Sequence, residues 1–300
     1  MYKTVAEIVT AAEERELPIW RLILEQEMDY TQESQTVVWR KMRNQLNVMK
    51  EAVERGTKGE GVFSPTGLTG GEAVKMKKYR EAGKGLSGDL MLWAMENAIA
   101  TNEVNASMGV ICATPTAGSS GTLPGVLFAI DKKLNLTEEQ MIEFLFTASA
   151  FGMVTANNAM IAGATGGCQA EVGSASAMAA AAAVELNGGT PTQAAEAFAM
   201  AMSNLLGLVC DPVAGLVELP CVKRNVVGAV NALAAADMAL AGLENKIPAD
   251  EVIQAMKEIG QGMPASLRET GQGGLAATPT GIRMRMKIFG ESINLNQNED

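Results

Sequence analysis

Three cysteines lie in small-residue surroundings with few charges: Cys168 in GATGGCQAEVGSASA, Cys210 in LGLVCDPVAGL and Cys221 in VELPCVKRN. A glycine or proline stands within two residues of each, no CxxC spacing joins them, and the chain contains no histidine. Three thiolates can hold an iron–sulfur cluster and leave one iron without a protein ligand. The competing reading is that buried cysteines act as small hydrophobes. Structural zinc is a weaker fit, since its ligands usually come in pairs about two to four residues apart. Cys112, in the apolar run GVICATP, reads as core filler.

Hydroxyls and charges supply the other candidate chemistry. The loop TPTAGSSG (114–121) offers Thr116, Ser119 and Ser120 beside two glycines, a composition suited to an anion or to an ordinary glycine turn. SPTGLTGG (64–71) and TPTG (278–281) repeat the Ser/Thr-Pro-Thr pattern, too briefly to mark a duplicated domain. No stretch matches GxxxxGK[ST] or GxGxxG, which argues against nucleotide binding. Lys223, Arg224 and Asn225 follow Cys221 directly and can offset thiolate charge, hold a substrate carboxylate, or form a solvated pair. Glu171, Asp211 and Glu218 stand near the cysteines and can accept protons or cap helices. Without histidine, Ser-His-Asp and Cys-His catalysis are excluded within this chain.

The elements that must position these residues read as helices. Apolar spacings of three to five residues run from about Thr4 to Arg55, with Thr31 expected to cap the second helix and Gly56 to end it. Further helices are expected over VKMKKYREA, from Asp89 as cap through Met108, and from Leu136 to Met153 behind a Thr137–Gln140 capping box. Ala175 to Leu186, Thr192 to Leu206, Val226 to Ala241 and Pro248 to Ile259 complete the set. The best short strand candidates are Val104 to Ala113 and Gly207 to Cys210. The expected fold is mainly α: an N-terminal helical arm (1–60) on the outside of the body or against a partner, one large helical domain with glycine-rich active-site loops (61–290), and a frayed tail (291–300). A three-layer α/β fold is the alternative, favoured only by the 31 glycines.

Composition bounds the class. With 47% hydrophobic but only 4% aromatic residues, the core must be built from Ala, Val, Leu, Ile and the 19 methionines. A net charge of −10 argues against a nucleic-acid partner. The N-terminus has no apolar signal region, and the most lipid-like segment, Ala175 to Val184, is about half a membrane span. These features, with cysteines unsuited to a disulfide framework, fit a soluble cytoplasmic protein with no membrane partner.

The segments TPTAGSSGTLPGVL, GGCQAEVGSASAMAAAA, CDPVAGLVELPCVKRN and GLAATPTG resemble the alpha chain of the bacterial iron–sulfur-dependent L-serine dehydratases. The resemblance is strongest from about Leu86 to Ile282. It implies a predominantly helical catalytic domain and a [4Fe–4S] cluster, not pyridoxal phosphate, held by Cys168, Cys210 and Cys221. It implies an ammonia-lyase that converts L-serine to pyruvate and ammonia, with the iron lacking a thiolate binding the substrate hydroxyl. Thr116, Ser119, Ser120, Lys223, Arg224 and Asn225 are then candidates for substrate binding, and the general base is not identified. Single-chain relatives carry a further domain with a Ser-His-Thr-x-Gly-Pro-Met motif absent here, which implies a separate beta chain as partner. Alternatives are a related cluster lyase, such as a cysteine desulfidase, or a non-catalytic metal-binding regulatory module.

Overall fold

Alanine fills the centre of this protein because few large side chains are available to do so. The structure is a computed structural model that describes residues 1–290. Its N-terminal part comprises α1 (Val5–Glu14), α2 (Ile19–Thr31), α3 (Gln35–Thr57), α4 (Glu72–Glu81) and α5 (Asp89–Ala106). There follow α6 (Thr122–Leu134), α7 (Glu138–Asn158), a single turn α8 (Gly163–Gly166) and α9 (Ser174–Leu186). The chain closes with α10 (Pro191–Ser203), α11 (Cys221–Leu240), α12 (Ala249–Gly262) and α13 (Pro279–Phe289).

Helix α9 is the axis of the packing, in contact with α6, α7, α10 and α11. Every residue from Ser174 to Val184 is buried, so its run of alanines lets four neighbours approach closely without voids. Aromatic contacts fill the thicker parts: Phe151 of α7 stacks on Phe198 of α10 with centroids 5.2 Å apart. Trp39 of α3 bridges Trp20 of α2 and Phe146 of α7 at 6.0 and 5.7 Å.

The N-terminal helices share this core. Ile8, Leu22, Leu24, Leu46 and Met49 are buried in the same apolar cluster as α7, α9 and α10. Helices α1–α3 keep an exposed, mostly polar face outward and pack their apolar face into the body. The starts of α1, α2 and α4 are capped from far away in sequence. Asp250 accepts from the Val5 and Ala6 amides (2.8 and 3.0 Å), Glu185 from those of Ile19 and Trp20 (2.6 and 3.2 Å), and Glu103 from those of Glu72 and Ala73 (2.7 and 3.1 Å). Carboxylates suit these positions because the first amides of a helix lack partners and carry partial positive charge.

Several local expectations change. Among the described residues there is no strand, only isolated bridges pairing Phe63 with Gly70 and Cys210 with Arg268, which removes the α/β alternative. Val104 lies inside α5, and Cys210 is an extended residue between loops, because neither segment has a strand to pair with. Thr31 ends α2, its hydroxyl bonding back to the Glu27 carbonyl, instead of capping α3. Gly56 lies within α3 and does not end it; a Cβ there would sit 2.6 Å from the Ala100 carbonyl oxygen. The cap before Asp89 is Gly88. The Thr137–Gln140 capping box forms in both directions. The frayed-tail expectation falls on residues 291–300, outside the described residues. No helix among the described residues is long and apolar enough to cross a membrane.

Candidate active site around three buried cysteines

Each cysteine is presented at a break in regular structure. Cys168 follows Gly167, whose φ of 76° is left-handed and whose missing Cβ leaves room for the Met263 sulfur and the Leu208 carbonyl. After Cys168 the chain makes one π-helical turn, Gln169–Gly173, before α9 begins. Single π turns inside helices widen the backbone and recur at functional sites. Gln169 braces this turn: its side chain donates to the Met256 carbonyl (2.9 Å) and accepts from the Gly207 amide (2.8 Å). Cys210 is fixed by its own backbone, with its amide on Leu267 O (2.8 Å) and its carbonyl taking the Glu269 amide (2.7 Å). Cys221 opens α11.

All three thiols are free and buried. Burial pushes the Cys168 thiol up to about 12, against a lowering influence from Arg224 and a raising one from Glu171. Burial likewise holds Cys210 and Cys221 far above the ordinary thiol range, with the Cys168 and Glu171 charges adding to the effect in both. The three sulfurs are thus near enough to feel one another, and an anionic form requires positive charge among them. Arg224 is one source. Its guanidinium donates to Val209 O (2.7 Å) and lies 2.7 Å from an Asp211 carboxylate oxygen, while the other Asp211 oxygen accepts from the Leu275 amide (2.7 Å). Helix α11, the Cys210 segment and the Gly274–Ala277 turn are tied together by this pair.

Among the described residues, no three cysteine, aspartate or glutamate side chains are arranged to hold one metal ion. That disfavours a mononuclear site. A multinuclear cluster, in which each thiolate takes its own iron, does not require such convergence, and a donor set of three buried sulfurs without histidine suits iron–sulfur chemistry. The residues therefore fit the expected group.

The Thr114–Gly121 loop joins the Cys168 segment and the start of α11 through Glu171 and Asn225. Thr116 donates to the Glu171 carboxylate (2.7 Å), so the hydroxyl-rich loop and the Cys168 segment meet. Ser119 is fully buried and its hydroxyl donates to Thr114 O (3.0 Å). The Ser120 and Thr114 hydroxyls are buried without a hydrogen-bond partner. Asn225 is fully buried as well, taking the Gly121 amide (3.1 Å) and giving to Gly118 O (2.7 Å) and Cys221 O (3.0 Å). Its amide braces loop to helix. Lys223 points away to an exposed ion pair with Glu72 (2.8 Å). Cys112 lies apart from the other cysteines, half-buried at the edge of the core with its thiol on the Gln45 side-chain oxygen (3.0 Å).

Two partnerships were not foreseen. Thr116 pairs with Glu171, and Thr66 donates to Glu218 at 2.8 Å; both threonines come from the repeated Ser/Thr-Pro-Thr pattern, which was the available signal. Glu269 and Arg268, which cross the Cys210 backbone, carried no sequence signal at all.

Fold and site together define an all-helical protein that brings three distant cysteines into its interior beside a hydroxyl-rich loop. The family is identified by comparison: residues 14–276 match the family described as serine dehydratase alpha chain, and this chain belongs to it. It is 61% identical to the probable L-serine dehydratase, alpha chain, of Bacillus subtilis (strain 168), over 98% of this chain and 97% of that protein. It is 43% identical to the L-serine dehydratase, alpha chain, of Peptoniphilus asaccharolyticus, over 97% and 99%. The match to L-serine dehydratase 2 of Escherichia coli (strain K12), 37% identical, covers 92% of this chain but only 61% of that longer protein.

Proposed function

We propose that this chain is the alpha subunit of an L-serine dehydratase, a lyase that converts L-serine to pyruvate and ammonia, with Cys168, Cys210 and Cys221 holding a [4Fe–4S] cluster. The observation that carries this reading is the burial of three free thiols from separate segments, Cys168 and Cys210 in one apolar cluster, in a chain whose full-length relatives bear that name. When bound, the cluster supplies a Lewis acid that polarises the substrate's carbon–oxygen bond at the iron lacking a thiolate. The rest of the work belongs to the protein. The unpartnered Ser120 and Thr114 hydroxyls are donors suited to a carboxylate, and Thr116 stands next to them. Ser119 and Asn225 keep that loop in place, Arg224 offsets thiolate charge, and Lys223 lies in an exposed ion pair.

The partner is a separate beta chain. Relatives of this length are called alpha chains, whereas the longer relative has a further part that this chain does not match. A cytoplasmic location is part of this reading, since four free cysteines suit a reducing compartment. The test is anaerobic reconstitution with iron and sulfide, followed by pyruvate release from serine and from cysteine, with and without the candidate beta chain. A brown, air-sensitive protein active on serine is expected, with weak activity from the alpha chain alone. Failure to bind iron and sulfide, or turnover of cysteine but not serine, would overturn the reading.

A further inference from the structure

Resting on the two-chain dehydratase reading, we propose that α13 and the turn beneath it are the surface on which the beta chain docks, with the helix lying in an apolar groove of that chain ringed by carboxylates. Gly281 is the one residue that α13 buries. Its apolar side chains, Ile282, Met284, Met286, Ile288 and Phe289, join none of the apolar clusters formed by the described residues. A helix of 11 residues is marginal by itself in water and owes its stability to the packing of an apolar face. Such a face is present. Ile282, Met286 and Phe289, spaced i, i+4, i+7, share one side of the helix; the first two are half-buried and Phe289 is exposed. A helix with anchors at that spacing is suited to a groove on a partner.

The place of α13 says which partner. The helix rests mainly on two turns of the cysteine site, Val213–Gly215 and Gly274–Ala277. The first lies between Cys210 and Cys221 in the chain. The second is held by Asp211, whose carboxylate takes the Leu275 amide (2.7 Å) and pairs with Arg224. Gly281 lets the helix start close against this turn, since a Cβ there would lie 2.5 Å from the Leu275 carbonyl oxygen. The Leu275 side chain is exposed and extends the apolar surface beyond the helix. A chain that completes the site has to reach these turns, and α13 stands on both.

Charge gives the partner's chemistry. Helix α13 carries Arg283, Arg285 and Lys287 and no carboxylate, in a chain of net charge −10. Arg283 donates to the Thr280 hydroxyl of its own helix (2.8 Å), and none of the three cations is paired with a carboxylate among the described residues. Arg283 and Lys287, one turn apart, are exposed beside the apolar stripe. A cationic rim around an apolar centre selects an acidic rim on the partner and governs association rate and salt dependence. An acidic second copy of this chain would meet the charge too; the position of α13 on the cysteine turns favours the chain that completes the site.

The experiment uses the reconstituted alpha chain and the purified beta chain. Affinity, and the beta-chain concentration that gives half-maximal pyruvate release from serine, are measured at low and high salt. Four forms are compared: wild type, Met286→Ala with Phe289→Ala, Arg283→Gln with Lys287→Gln, and a control on exposed α6 residues, Lys132→Gln with Lys133→Gln. Alanine and glutamine are good helix formers, so the substitutions leave α13 able to form. The alanine pair should raise both concentrations by about tenfold or more, as the loss of an aromatic anchor does. The glutamine pair should weaken binding at low salt and reduce its salt dependence. The control should match the wild type, and every form should keep its iron and sulfide. Wild-type affinity in both α13 variants would overturn the proposal, as would an equal loss in the control or no binding of the beta chain by the wild type. Loss of iron from both α13 variants would make the helix a prop for the cysteine turns, and the proposal would fall. It would fall too if those variants abolished self-association of the alpha chain, read by sedimentation, while beta-chain binding stayed. The dehydratase reading is judged separately: a wild-type pair that binds but releases no pyruvate removes that reading and leaves the docking surface in place.

Discussion

Replacing Asn225 by alanine should destabilise the protein by several kcal/mol before any substrate is considered. The side chain is fully buried, and its amide is engaged on both sides. Its oxygen takes the Gly121 amide and the Thr122 hydroxyl, each at 3.1 Å, and its nitrogen gives to Gly118 O at 2.7 Å and Cys221 O at 3.0 Å. Alanine would leave the Gly121 N–H and the Gly118 carbonyl without these partners. The other two losses are milder, because Thr122 also reaches the Asn225 carbonyl (3.5 Å) and Cys221 O lies within the hydrogen-bond ladder of α11. Two orphaned buried groups at roughly 1–3 kcal/mol each give about 2–6 kcal/mol. For a protein of this size that is a fall in Tm on the order of 10 °C. Thermal and urea unfolding of the reduced apoprotein, followed by circular dichroism, would read it. Asn225→Asp is the companion variant: it keeps the acceptors but turns a carboxylate oxygen toward two carbonyls, and should be no more stable than the alanine variant. A loss below about 1 kcal/mol would refute the reasoning, since the orphaned groups must then have found water. Unchanged stability with a raised KM for serine would instead return Asn225 to substrate binding.

Arg224→Gln should cost about 3–5 kcal/mol in the apoprotein, because it strands a buried Asp211 carboxylate; a loss under about 1 kcal/mol in urea unfolding would mean the Leu275 amide alone satisfies Asp211. Burial holds the Glu185 carboxyl above the ordinary value of 4.5, so the folded state binds this proton more tightly than the unfolded one. Its contribution to stability is full below that value and is lost as pH rises through the folded pKa. Glu185→Gln should therefore flatten the pH dependence of Tm above the ordinary carboxyl value of 4.5, and an unchanged slope would refute this. Gly56→Ala should destabilise by about 1–3 kcal/mol, despite the better helix propensity of alanine, because its Cβ would lie 2.6 Å from Ala100 O. Gly262→Ala, at the end of α12 with nothing within 4 Å of the added carbon, should be neutral or stabilising by up to about 1 kcal/mol in the same unfolding assay.

What could be read from the sequence was what is local. The Thr137–Gln140 box forms as the spacing implies, because both partners lie within one turn. The alanine run of α9 announces a buried helix for the same reason. The start of α1 was legible at Thr4, whose hydroxyl takes the Glu7 amide (3.0 Å), but the carboxylates that also cap α1, α2 and α4 come from Asp250, Glu185 and Glu103, in other helices. Charge density in the arm marks one face of each helix and says nothing of the other, where Leu24 and Leu46 are buried. Short apolar runs such as Val104 to Ala113 fit strand and helix alike, and packing decides between them.

The repeated Ser/Thr-Pro-Thr pattern takes on a physical meaning once the partners are known. In two of the three loops the threonine hydroxyl is handed to a carboxylate three positions from a cysteine: Thr116 to Glu171, after Cys168, and Thr66 to Glu218, before Cys221. In the third, the matching Thr280 accepts from the Arg283 guanidinium (2.8 Å), while Thr278, at the first position of the pattern, caps its own helix at the Gly281 amide (3.1 Å). The pattern thus presents a hydroxyl from a turn, and its surroundings decide whether that hydroxyl meets a carboxylate or a guanidinium. Around the cysteines the consequence is electrostatic. Folding buries three thiols beside carboxylates, with Arg224 lowering Cys168 and Cys221, so burial favours the protonated form of each. Thiolates at such a site require a source of positive charge, and any metal that binds them displaces their protons.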